Sequence, residues 1–259
     1  MRAWTVSVSV GELAGFCVPA LVGGLLREGA PLLVLGALVL AGVAEGAILG
    51  WSQARVLRQR LDGFSEARWV VGTAAAAAGA WFLGMLPSTF HEQWSTWPTL
   101  LTVIVAMLLG TAVLGSIGVA QWFELRRHVP RAARWIGITA AGWGAGLVVF
   151  MAGATPLWRP GQATATIIAV GLCGGGLMAV TMAGLTGYGM RHLQTTGGSG
   201  DEVRRRGSRP ARWPWRRTSL AVEGLVALAG AAGSVQLLAG SWTPPDSTLD
   251  PWEPVGVSG

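Results

Sequence analysis

Residues 31–54 read PLLVLGALVLAGVAEGAILGWSQA, an apolar run broken by one acid, Glu45, and followed by Arg55, Arg58 and Arg60. A helix needs about 20 consecutive apolar residues to cross a hydrocarbon core of about 30 Å. Within that core its backbone groups must be satisfied inside the segment. The stretch therefore predicts a membrane-spanning α-helix that ends on a basic turn. Further runs of the same kind at 6–26, 69–86, 99–123, 135–154, 163–188 and 219–240 predict an all-α integral membrane protein with about seven transmembrane helices.

Composition agrees with lipid as the solvent. The 259 residues are 51% hydrophobic and 12% charged, against roughly 25% charged in ordinary soluble domains. Gly (39) and Trp (14) are abundant, as expected for close helix contacts and interfacial rings. The N-terminal run is read as the first span and not a signal peptide, because Glu12 interrupts it and no small-x-small cleavage site follows. The organisation expected is a single transmembrane domain over 1–243, containing a basic cytoplasmic loop at 192–217, and a short acidic, flexible extracytoplasmic tail at 244–259.

Arginine sets the orientation. Arg55, Arg58, Arg60 and Arg68 follow span two, Arg126, Arg127, Arg131 and Arg134 follow span four, and Arg191 with 204–217 follows span six. The opposite connections hold only Arg27 and Arg159. Positive residues are retained in the cytoplasm, which predicts a cytoplasmic N-terminus and an extracytoplasmic C-terminus in a plasma membrane. Trp94, Trp97, Trp158 and Trp242 toward one face, and Trp51, Trp69, Trp122 and Trp135 toward the other, are expected at headgroup level.

The chain also resembles itself. Gly50, Gln53, Leu57 and Arg58 match Gly118, Gln121, Leu125 and Arg126 as G-x-x-Q-x-x-x-L-R. After each copy come a basic turn, Ala67-Arg68-Trp69 or Ala133-Arg134-Trp135, and then Thr73 or Thr139. A looser third copy has Ala183, Thr186, Met190 and Arg191, with Ala211-Arg212-Trp213 and Thr218 beyond it. The reading is one leading helix plus three like-oriented helical hairpins. These segments resemble a broad, Gly- and Trp-rich set of uncharacterised bacterial multi-pass membrane proteins, over spans two to five most clearly. The resemblance implies a bacterial membrane bundle and no particular activity.

Polar groups inside spans are the candidate site. Gly50, Gln53 and Leu57 share one helical stripe, and Gln53, Gln121 and Thr186 are expected at equivalent heights near the cytoplasmic face, either as packing groups or lining a shallow cavity. Glu12, Glu45 and Glu223 are acids within spans, where a charge is costly enough to raise a functional reading. Glu45 lies roughly 15 Å from Arg55 along the helix, near mid-bilayer. The pairs Gly46/Gly50, Gly142/Gly146 and Gly171/Gly175 suit close helix contacts. Arg204, Arg205 and Arg206 are expected to meet anionic lipid headgroups.

Several chemistries are excluded or lack their motif. All 19 basic residues are Arg, which removes lysine Schiff bases and a Walker-type phosphate loop. His91-Glu92 is not completed to H-E-x-x-H, Gly115-Ser116-Ile117-Gly118 lacks a serine-protease frame, and Gly174-x-Gly176-x-x-Ala179 lies in a span and not after a strand. Cys17 and Cys173 sit in apolar runs as small hydrophobes. No catalytic residue, metal site, cofactor or nucleic-acid partner is expected, and oligomeric state is left open. The reading is a transporter- or permease-like protein for a small solute or ion, with Glu45 as its proton- or cation-responsive group; the alternative is a non-catalytic membrane scaffold or sensor binding a protein or lipid partner. A water-accessible cavity reaching Glu45 favours the first, a dry bundle the second.

Overall fold

The structure, a computed structural model, describes residues 2–198, with side chains to residue 193. Among these residues there are seven α-helices and no strand: α1 (Arg2–Leu25), α2 (Pro31–Leu57), α3 (Glu66–Thr89), α4 (His91–Ser95), α5 (Thr99–Leu125), α6 (Arg134–Ala154) and α7 (Thr164–Gly198). All except the five-residue α4 are long and apolar enough to cross a membrane. The chain is a multi-pass, all-α membrane protein. The expected span 219–240, with Glu223, lies outside the described residues, as do Arg204, Arg205, Arg206, Arg212, Trp213, Thr218 and the tail 244–259.

Helix ends follow local chemistry. Pro31 opens α2, where its missing N–H is no loss and its φ is already helical. Ser65 caps α3 by accepting from the Arg68 N–H at 3.4 Å, with Glu66 in the first turn beside the positive end of the helix dipole. α7 continues to Gly198, past the end of its apolar run at residue 188. Residues 192–198 are thus helical where a loop is expected from the sequence. Once backbone bonds are in place, helix can propagate into the interface, and the Tyr188 and His192 rings pack edge-on at 4.4 Å across that boundary.

The six long helices form a closed ring in chain order. Each packs against its predecessor and successor, α3 meeting α5, and α7 returns to α1. Small residues set the spacing. A Cβ on Gly15 would meet the Glu45 carbonyl oxygen at 2.9 Å, one on Gly46 the Thr73 carbonyl oxygen at 2.7 Å, and one on Gly118 the Ile136 Cα at 2.9 Å. Backbones therefore touch directly at α1–α2, α2–α3 and α5–α6. Gly142 and Gly146 lie close to α7 and Gly175 lies against the Phe16 ring, but a Cβ on Gly171 would meet nothing within 4 Å.

Packing is uneven along the bundle axis. Every buried residue of α5 lies between Leu114 and Leu125, and every buried residue of α3 between Trp69 and Ala77. Both stretches adjoin the arginine-rich turns. Toward the other end α5 exposes Leu100, Ile104 and Leu108, surface that lipid tails would cover. The core, which includes Trp4, Val8, Leu49, Leu57, Leu125 and Met182, sits at the arginine-rich end. It also contains Trp69 and Trp135, at 1% and 0% exposure. Those two rings are thus packed among the helices, with their indole N–H groups bonded inside. Trp51 is half exposed, with the Arg55 guanidinium 4.7 Å over its ring.

Candidate functional site

The inward stripe of α2 carries Glu45 and Gln53 two turns apart, a separation of about 12 Å along the axis. Each meets polar groups from neighbouring helices, forming an upper and a lower layer.

In the lower layer, near the arginine-rich turns, Gln121 donates to Gln53 Oε1 at 2.7 Å and to Thr73 Oγ1 at 3.0 Å. Trp69 Nε1 donates to Gln53 Oε1 at 3.1 Å, and Trp135 Nε1 donates to Gln121 Oε1 at 2.8 Å. Gln53 and Gln121 therefore lie at one level and in contact. Thr186 does not join the glutamines. It accepts from Trp4 Nε1 at 3.3 Å and donates to the Met182 carbonyl at 2.8 Å. The indoles connect the two groups: Trp4 meets Trp135 edge-on at 6.0 Å, and Trp69 lies 6.4 Å from Trp135. Such bonds hold helices together in lipid, where a buried amide or indole N–H without a partner is costly.

The upper layer is acidic. Glu45 accepts a hydrogen bond from Trp81 Nε1 of α3. The indole reaches across because Gly42 has no side chain to block it. Glu12 of α1 is fully buried, and neither carboxyl oxygen has a hydrogen-bond partner among the described residues. Gly15, one turn from Glu12 on α1, lies against Glu45, since a Cβ there would meet Glu45 Cγ at 3.3 Å. Among the described residues neither acid forms an ion pair with an arginine. The part of α7 facing this region packs Gly175 and Gly176 against Phe16 and Leu13.

A third polar centre, absent from the sequence reading, is Glu124. Its carboxylate, 2% exposed, receives Arg68 Nε at 2.7 Å, the Ser65 N–H at 2.9 Å and His128 Nε2 at 3.0 Å. It clamps the basic turn before α3 to the end of α5. An acid in the last turn of a span, four residues before His128, is the signal for it. The partner role of Trp4 was also missed, although Arg2-Ala3-Trp4 has the composition of Ala67-Arg68-Trp69 with the first two residues exchanged.

Among the described residues no three His, Cys, Asp or Glu side chains gather as metal ligands. His91 and Glu92 lie on exposed α4, and Ser116 donates to its own helix at the Val113 carbonyl. A cavity between α1, α2 and α7 opens at the arginine-rich end, and neither Glu12 nor Glu45 lines it. No family model, curated protein or solved structure matches the chain.

Proposed function

We propose that the chain is a non-catalytic membrane sensor in which protonation of Glu12 and Glu45 is linked to the packing of α1 on α2. The observation that carries this reading is the enclosed Glu12 carboxyl, unpartnered and beside a second acid. A carboxylate in a low-dielectric site without a counter-charge costs several kcal/mol. The closed seam is thus compatible with a protonated pair, and ionisation favours any arrangement that admits water or separates the two acids. Rising pH loosens the seam, and falling pH tightens it.

A transporter- or permease-like role for a small solute or ion is the second reading. The mid-span depth of the pair favours it, since acids in spans commonly mark ion or proton pathways. The complete burial of Glu12 and the well-bonded glutamine layer favour the sensor.

The rest of the assignment belongs to the same proposal. Arginine asymmetry supports a bacterial cytoplasmic membrane location, with the N-terminus and the arginine-rich turns inside. The lipid bilayer, with anionic lipids at the cytoplasmic face, is the expected partner. Three similar junctions, Trp69 on Gln53, Trp135 on Gln121 and Trp4 on Thr186, support an internal repeat around an axis along the membrane normal, with α1 completing the third pair beside α7.

Hydrogen exchange in lipid nanodiscs tests the sensor. After correction for intrinsic pH effects, peptides covering 8–18 and 42–50 should exchange faster at pH 9 than at pH 5. Glu12→Gln, which cannot ionise, should remove most of that difference. An unchanged pH response in Glu12→Gln overturns the assignment. Proton or solute flux through sealed vesicles, lost in Glu45→Gln, would replace the sensor with the transporter.

A further inference from the structure

The lower polar layer does not fasten the helices evenly. Four bonds tie α2, α3, α5 and α6 together: Trp69 and Gln121 donate to Gln53, Gln121 also donates to Thr73, and Trp135 donates to Gln121. On α7 the matching residue is Thr186, which accepts from Trp4 Nε1 at 3.3 Å and donates to the Met182 carbonyl of its own helix. Its short side chain does not reach across as the glutamines do. The consequence shows on α6. Thr139 lies against Gly118 as Thr73 lies against Gly50, since a Cβ on each glycine would meet the threonine Cβ at 3.3 and 3.0 Å. Thr73 Oγ1 accepts from Gln121, whereas Thr139, 2% exposed, has no hydrogen-bond partner for its Oγ1. One turn further along α6, a Cβ on Gly142 would meet Thr186 Cγ2 at 3.0 Å. The orphan hydroxyl thus belongs to the helix that faces Thr186.

The packing of α7 suits movement. Every buried methionine among the described residues is on this helix, at Met178, Met182 and Met190. Gly146 of α6 lies against Met178, and Gly142 lies near Met182. Unbranched thioether chains adapt to a changed neighbour, and apolar contact has no preferred direction. Helices packed in this way shift past each other by about 1–2 Å in switching proteins. Nearer the start of α7 the grip is firmer: Phe16 of α1 and Phe150 of α6 meet edge-on at 5.7 Å, and Gly175 and Gly174 lie against those two rings. At the other end the cavity between α1, α2 and α7, of about 410 Å³, leaves room beside Gly187 and Met190.

We infer that α7 is the moving helix of the ring. Its arginine-rich end shifts against α1 and α6 about the Phe16–Phe150 contact, while the glutamine layer keeps α2, α3, α5 and α6 in place. The cavity widens or narrows with that shift. Thr186 is the residue that permits it, standing where a third glutamine would lock α7 to Thr139. The inference is independent of the acidic pair.

Spin-label distances in nanodiscs test this on the full-length chain carrying Cys17→Ala and Cys173→Ala. Trp51→Cys with Phe123→Cys labels α2 and α5 within the fastened arc, and Phe123→Cys with Tyr188→Cys labels α5 and α7; all three positions are exposed. The distance distribution of the α5–α7 pair should be broader than that of the α2–α5 pair by the roughly 1–2 Å of a helix shift. Thr186→Gln supplies the missing amide and should narrow the α5–α7 distribution while leaving the α2–α5 pair unchanged. Two further variants decide the matter if that one does not fold. Thr139→Val discards a hydroxyl that bonds nothing and should leave the thermal unfolding midpoint nearly unchanged, whereas Thr73→Val removes an acceptor of Gln121 and should lower it. Equal widths for the two label pairs would overturn the inference. So would a folded Thr186→Gln protein with an undiminished α5–α7 width, or equal losses from the two valine substitutions.

Discussion

Gln121 holds three partners at once, accepting a hydrogen bond from Trp135 and donating to Gln53 and Thr73. Interhelical hydrogen bonds in membranes are worth about 0.6 kcal/mol on average and up to about 1.7. Gln121→Leu removes three and strands the Trp135 N–H, so it should destabilise the protein by roughly 1–3 kcal/mol in reversible detergent unfolding. Trp69→Phe removes one bond and some ring volume and should cost less. Equal effects from the two would mean that volume and not polarity holds this layer. The glutamines were legible in sequence because an amide in an apolar run needs a partner, whatever the fold. The identity of that partner was not legible, since it depends on which helices become neighbours. Thr186 shows the difference: it shares its spacing with Gln53 and Gln121, yet a short hydroxyl side chain bonds its own helix and meets Trp4. Glu124 was hidden in the opposite way, looking like one more boundary charge until α3 brings Arg68 and Ser65 to it.

At the scale of the helix, the question is which face of each span meets a neighbour. Small residues four apart mark a possible contact without saying whether anything occupies it. Gly46 lies against the backbone of α3, and a Cβ on Gly171 would meet nothing within 4 Å. Gly46→Leu should therefore force α2 from α3 and cost about 1–3 kcal/mol, the usual range for overpacking. Gly171→Leu should cost less than Gly46→Leu, because a Cβ there meets no neighbour. Thermal unfolding in one detergent compares them directly, and similar losses would refute the packing assigned to α2 and α3. Span positions were readable because hydropathy and length are properties of a segment alone. Extensions such as the one that carries α7 to Gly198 were not, because beyond the apolar run hydropathy gives no further guide.

For the molecule as a whole, the proposed orientation makes a direct prediction. With Cys17 and Cys173 replaced by alanine, a cysteine at Asp62 should be shielded from an impermeant thiol reagent in intact cells, and one at Gly161 should react. The reverse pattern would invert the assignment. Arginine bias suggests the sidedness, yet nothing in a linear pattern announces that the helices close into a ring. That closure also bears on biosynthesis. Among the described helices α1 leaves the ribosome first and α7 last, but they are neighbours, and Trp4 waits for Thr186. Until α7 is inserted, one side of α1 has no protein neighbour, and the nascent bundle has an open edge at which chaperones or proteases could act. The α1–α7 junction thus serves as a completion mark, formed only when all six helices have been made.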